Sequence, residues 1–254
     1  MYPVLLTALG VGGATVFGAL MGFIFKKPSH RLNDIILSFA AGVMLSAAVI
    51  GLVLPSLEYG SGFFPLIITA AGIFAGAVVL NLIDRLVPHL HKITGIDSEE
   101  KHPQRNRDIN KILLFVIAIA IHNLPEGIAA GVSFGGGESA RALSVAGGIA
   151  LQNIPEGMVI IAPMIAAGIS KKRTFFIAVS TGLIEVLGTF IGYFAVNISM
   201  AVLPFALAFA GGTMLYVISD EMIPETHSHG CERAATYSLL LGFCIMLCFD
   251  FLLG

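Results

Sequence analysis

The sequence predicts an all-α polytopic membrane protein, a bundle of eight transmembrane helices with proline-kinked fourth and fifth spans. Three observations lead there. Hydrophobic residues make up 56% of the 254 residues, charged residues only 12%, and mean hydropathy is +0.90. A soluble domain carries about a quarter charged residues, because its surface must be solvated. Eight apolar segments approach the roughly 20 residues that a helix needs to cross the hydrocarbon core. Finally, Lys and Arg are confined almost wholly to alternate loops, the asymmetry that fixes membrane topology.

The segments lie near 3–25, 35–57, 63–84, 112–134, 142–169, 174–196, 200–219 and 236–253, in a single transmembrane domain over 1–254. The first lacks a basic leading region and outruns a signal peptide's apolar core, so it is expected to be retained as a span. Lys26, Lys27 and Arg31 follow it. The third span leads into a polar stretch, 85–111, carrying Arg85, Lys92, Lys101, Arg105, Arg107 and Lys111. Lys171, Lys172 and Arg173 follow the fifth span and Arg233 the seventh, leaving only Arg141 on the opposite side. Cytoplasmic loops hold the excess of Lys and Arg, so 85–111 is expected to be a cytoplasmic loop and both termini to lie outside, in a cell inner (plasma) membrane. No loop is long enough to fold as a soluble domain.

Small residues four apart let helix backbones approach closely in lipid, and Gly18/Gly22, Gly72/Gly76, Gly127/Gly131 and Gly188/Gly192 have that spacing. They read as packing. The three cysteines form no C-x-x-C and no disulfide framework. A net charge of −2 gives no basic footprint, so nucleic acid is not an expected partner; the lipid bilayer is. Oligomeric state stays open, with a homodimer among the options.

Charge inside the spans is the informative anomaly. An ionised side chain at the bilayer centre costs about 2.5–3.5 kcal/mol even on the forgiving insertion scale. Yet Glu126, Glu156 and Glu185 fall near the centres of spans 4, 5 and 6, with no Lys or Arg at that depth. Such acids require protons, water or a bound cation. Of seven histidines only His122 lies within a span, four residues before Glu126 and therefore on the same helical face. The words around them repeat: His122–Gly127 reads HNLPEG and Gln152–Gly157 reads QNIPEG, 30 residues apart. Pro125 and Pro155 remove the helical partners of the Ile121 and Leu151 carbonyls, so each copy is a polar, kinked piece of helix. The proposed ligand set is His122, Asn123, Glu126, Gln152, Asn153, Glu156 and Glu185. This mixture of imidazole, carboxylate and amide, without thiolate, suits Zn2+ and also Cd2+, Fe2+ and Mn2+. The ion is cargo; no resident cofactor is expected.

HNLPEG and QNIPEG resemble the paired motifs of the ZIP family (Zrt/Irt-like proteins), especially its bacterial branch, and the resemblance extends over essentially the whole chain. It implies ATP-independent movement of metal, zinc foremost, into the cytoplasm through a site between spans 4 and 5, aided by spans 2 and 6. It carries the seven residues above onto metal-site positions, and adds Met44 from span 2. It also implies two groups of helices sliding against each other. Asp84, His89 and His91, with Asp220 and Glu221, look like a cytoplasmic exit cluster, although solvated loop residues would read the same way. His227 and His229 are further candidates there. Asp250, near the outer end of span 8, either draws cations or reaches the interface. One departure stands out: many members carry His where this chain has Gln152, a poorer ligand for transition metals.

Other classes fit less well. An intramembrane zinc hydrolase would use more imidazole than His122 alone, and H-E-x-x-H is absent. A metal sensor would need an output surface that these short loops do not offer. Gly135-Gly136-Gly137 lacks the Lys-Ser/Thr ending of a phosphate loop. An enzyme is therefore not expected.

Overall fold

The computed structural model describes residues 1–24, 29–86, 121–137, 139–166 and 168–253. Among these there is no strand. We number eight helices: α1 (Tyr2–Ile24), α2 (His30–Ser56), α3 (Phe64–Leu86), α4 (121–132), α5 (Ser139–Ala166), α6 (Lys171–Ile198), α7 (Met200–Thr226) and α8 (Glu232–Leu253). All except α4 are, over the described residues, long and apolar enough to cross a membrane. The expected start of span 4, 112–120, lies outside the described residues, as do His89 and His91.

The outer surface is what lipid selects. Phe74 on α3, Leu187 on α6 and Leu241 on α8 stand exposed with many other large apolar side chains. A water-soluble monomer rarely exposes contiguous apolar patches beyond a few hundred Å². Inside, Met44, Ala129, Val145, Ile149, Leu207 and Met214 belong to one apolar core to which α1, α3 and α6 also contribute, through Val11, Leu80 and Val196.

Glycines sort the helices into two groups. A methyl on Gly127 would sit 2.3 Å from the Glu185 carbonyl oxygen, and one on Gly192 2.3 Å from that of Ile128, so α4 and α6 touch backbone to backbone. Gly18 and Gly157 bring α1 against α5 in the same way, and Gly12 and Gly182 bring α1 against α6. A second set repeats this: Gly42 and Gly242 join α2 to α8, while Gly76 and Gly212 join α3 to α7. Between the sets, glycines meet side chains instead, as Gly51 does with Val145, Gly147 with Phe249 and Gly148 with Met246. The fold thus contains one close-packed group, α1–α4–α5–α6; the pairs α2–α8 and α3–α7, which meet through a side chain where Gly211 faces Val53, make up the other.

Overpacking a close contact costs about 1–3 kcal/mol. Gly127→Ala is therefore expected to lower thermal stability by about that amount and to displace Glu185. Gly13→Ala, where the added methyl meets nothing within 4 Å, should leave both unchanged. Thermal melting of the two variants, side by side, checks this.

Among the described residues, two helices contain π-helical stretches. In α2 a π-helical stretch, Ala47–Val53, precedes Pro55, and the Leu54 N–H reaches back to the Val49 carbonyl. In α7 Ile218–Met222 precedes Pro224, and the Ile223 N–H reaches the Ile218 carbonyl. Widened turns ahead of a proline absorb the hydrogen bond it cannot make. By contrast, α4 and α5 run as uninterrupted α-helix through Pro125 and Pro155. The widened turn also carries α7 past residue 219, where its apolar run ends, to Thr226.

Candidate metal centre

Each copy of the repeated motif presents two helical faces. In α4, Asn123 and Gly127 are four apart and share one face; His122 and Glu126 share the next. Gly127 admits the α6 backbone, and Asn123 beside it donates from Nδ2 to Glu185 Oε1. In α5 the equivalent pair is Asn153 and Gly157. Gly157 admits the α1 backbone at Thr15, and Asn153 Nδ2 donates to the Val11 carbonyl at 3.2 Å and to Glu185 Oε2 at 2.6 Å. The glycine that ends each motif is thus what lets the asparagine reach its acceptor.

Glu185 is the hub of this arrangement. It is fully buried and takes a third bond, 2.6 Å, from the hydroxyl of Thr15 on α1. Three helices therefore donate to one carboxylate on a fourth. Thr15 has no counterpart among the residues singled out by sequence. Its only signal is its place on the α1 face that also carries Gly18 and Gly22, a pair read simply as packing.

The second face of each motif meets the other copy. Gln152 Nε2 donates to Glu126 Oε1 at 2.8 Å, linking α5 to α4. Glu156, half-buried, lies close enough to Glu126, Glu185 and His122 to feel their charge. Across the boundary between the two helix groups, His122 Nε2 lies 2.8 Å from Glu221 Oε1 on α7. No Lys or Arg among the described residues pairs with Glu126, Glu156 or Glu185.

Three oxygens in this cluster are buried without a hydrogen-bond partner among the described residues: Glu126 Oε2, Gln152 Oε1 and Asn153 Oδ1. All are acceptors. A buried polar group without a partner costs about 1–3 kcal/mol, and more if charged, so the cluster favours anything that brings positive charge. Among the described residues, no three His, Cys, Asp or Glu side chains are gathered into a ready ion cage. Amide and hydroxyl donors instead occupy both oxygens of Glu185 and one of Glu126.

The remaining candidates are dispersed. Met44 is buried in the apolar core beside α4 and α5. Asp220 is exposed and accepts from the Tyr216 hydroxyl at 3.3 Å. Asp84 lies in the last turn of α3. Glu221, expected at an exit, lies within hydrogen-bond distance of His122.

Fold and cluster together define a multi-pass membrane protein with a polar, acid-rich interior spanning α1, α4, α5 and α6. Comparison with known proteins places it further. The family model described as ZIP Zinc transporter matches residues 91–250. The chain is 40% identical over 255 residues to the zinc transporter GufA of Myxococcus xanthus, covering 98% of both chains. It is 38% identical to the zinc transporter ZIPB of Bordetella bronchiseptica, over 100% of this chain and 82% of that one. With the human zinc transporter ZIP11 the identity is 31%, over 100% of this chain and 98% of the relative. The chain belongs to the ZIP family of zinc transporters.

Proposed function

We propose that this protein carries divalent transition-metal ions, zinc foremost, across the cell membrane into the cytoplasm, without ATP, through the buried cluster on α4, α5 and α6. The observation that carries this reading is the set of unpartnered acceptors, Glu126 Oε2, Gln152 Oε1 and Asn153 Oδ1, beside three acids with no basic partner among the described residues. A divalent cation satisfies all of them at once. His122 supplies imidazole nitrogen, Glu126 and Glu156 supply carboxylate oxygen, and the amides of Asn123, Gln152 and Asn153 turn their oxygens inward. Glu185 holds the helices in register and adds charge. Pro125 and Pro155 free the Ile121 and Leu151 carbonyls and so give the local helix room for this rearrangement. The similarity to proteins named zinc transporters supports zinc as cargo.

The glycine partition supports a carrier in which one helix group slides against the other. All of Thr15, His122, Asn123, Glu126, Gln152, Asn153, Glu156 and Glu185 belong to the α1–α4–α5–α6 group, so the site moves as a unit. Side-chain contacts between the groups present smoother, more deformable surfaces than interlocked backbones. Bonds that cross the boundary include His122–Glu221 near the site and Arg141 Nη1–Glu58 Oε2 at 3.0 Å on the outer side. On leaving, the ion passes Glu221 toward Asp84, His89 and His91, with Asp220 and Met44 lining the stationary group.

Sealed vesicles containing the purified protein should take up zinc added outside, and Cd2+, Fe2+ and Mn2+ more slowly. Binding without flux would contradict transport. The outer bond offers a further check. Exposed pairs are worth only about 0.2–1 kcal/mol, so Arg141→Gln should not change melting. It should instead raise, a few-fold, the outside labelling rate of a cysteine placed at Ser133, which lines the same outer pocket as Arg141.

A further inference from the structure

We propose that His30 and His229 form a second binding site for a divalent transition-metal ion, at the surface end of α2, with Asp34 as the buried carboxylate that orients it. Three observations meet here. His30 opens α2 and Asp34 lies four residues on, so both occupy one helical face. The turn between α7 and α8 lays His229 over that face, with its ring stacked on His30 at a centroid separation of 4.9 Å and 28° between planes. His229 Nδ1 lies 3.1 Å from Asp34 Oδ1.

Asp34 is the decisive residue. Its side chain is 3% exposed, and its second oxygen, Oδ2, has no hydrogen-bond partner among the described residues. One imidazole N–H is thin compensation for a buried carboxylate. When Nδ1–H donates to Asp34, Nε2 of His229 keeps a lone pair, the tautomer that a metal-binding histidine needs, and the carboxylate fixes the orientation of the ring. A cation on Nε2 then strengthens the bond to Asp34 and offsets the burial. The stacked His30 ring supplies the second nitrogen after a small rotation, and water completes the shell. Ser228 Oγ, 3.2 Å from Nδ1 and 3.4 Å from Nε2 of His229, is a hydroxyl that competes for the ring. Two imidazoles without thiolate suit Zn2+, Cu2+ or Ni2+. The site shares no residue with the mid-membrane cluster, so its failure would leave the proposed transport path untouched.

The full-length protein with His89, His91, His102, His122 and His227 all replaced by alanine retains only these two of its seven histidines. It should bind one Cu2+ per chain with a two-nitrogen signature in electron paramagnetic resonance. His30→Ala or His229→Ala should remove that signature, and Asp34→Asn should weaken binding by about ten- to a hundredfold. A one-nitrogen spectrum, or binding indifferent to either histidine, overturns the proposal. The unmodified protein gives a second reading that needs no altered fold. Zn2+ should protect His30 and His229 together from acylation by diethyl pyrocarbonate, read by mass spectrometry; absence of joint protection overturns the proposal as well.

Discussion

Glu126→Ala is expected to reduce zinc uptake at least tenfold while leaving the melting temperature unchanged or slightly raised. The two effects separate because Glu126 is 1% exposed yet poorly served by its surroundings. One oxygen accepts a single amide bond from Gln152, and the other has no partner among the described residues. Removing the side chain takes away a buried acid near two others and costs only one neutral donor. A residue kept for structure would show the reverse pattern, and stability yielded at a functional site is the expected trade. Uptake into vesicles and thermal melting of the same preparation decide it. A stable variant with normal flux would remove Glu126 from the path.

Glu185→Ala should behave differently, losing stability and transport together. Its carboxylate accepts from Thr15, Asn123 and Asn153, which come from α1, α4 and α5. Alanine strands the Thr15 and Asn123 donors and leaves Asn153 only the Val11 carbonyl, at about 1–3 kcal/mol for each lost partner, a loss on the order of 3 kcal/mol or more. Glu185→Gln preserves an acceptor oxygen but points an amide N–H at a neighbouring donor, so it should fall between. Melting should rank wild type above Gln and Gln above Ala. If alanine melted like wild type, Glu185 would not be the knot that ties this helix group together.

What the sequence disclosed and what it withheld follow from different physics. Lipid allows only helices of sufficient length, so the apolar segments announce themselves, and seven helices among the described residues are long and apolar enough to cross a membrane. Helical spacing also reveals which side chains share a face, which is why His122 with Glu126 was legible. Rotation of one helix against another leaves no such trace. Nothing in the spacing tells that Asn123 and Asn153 both turn to Glu185, that Thr15 joins them, or that Glu221 reaches His122 from α7. The widened turns in α2 and α7 were hidden for a related reason. Pro55, Pro125, Pro155 and Pro224 look alike in sequence, and only the packing around each decides whether its helix absorbs the missing bond by a π-turn. Gln152 shows the converse. An amide in place of histidine reads as a weaker ligand, yet in the fold it also supplies a bond that connects the two motif copies.

Locating the ion itself is the most direct test of a cation site within the acid cluster. Crystals of the full-length protein grown with zinc should show an anomalous scattering peak in the membrane interior. It should lie about 2.0–2.2 Å from ligating atoms of His122 and Glu126, with Glu156 alongside, and be absent in Glu126→Ala. Zinc found only at the surface, with Glu126 still held by Gln152 and its other oxygen facing no cation, would contradict it.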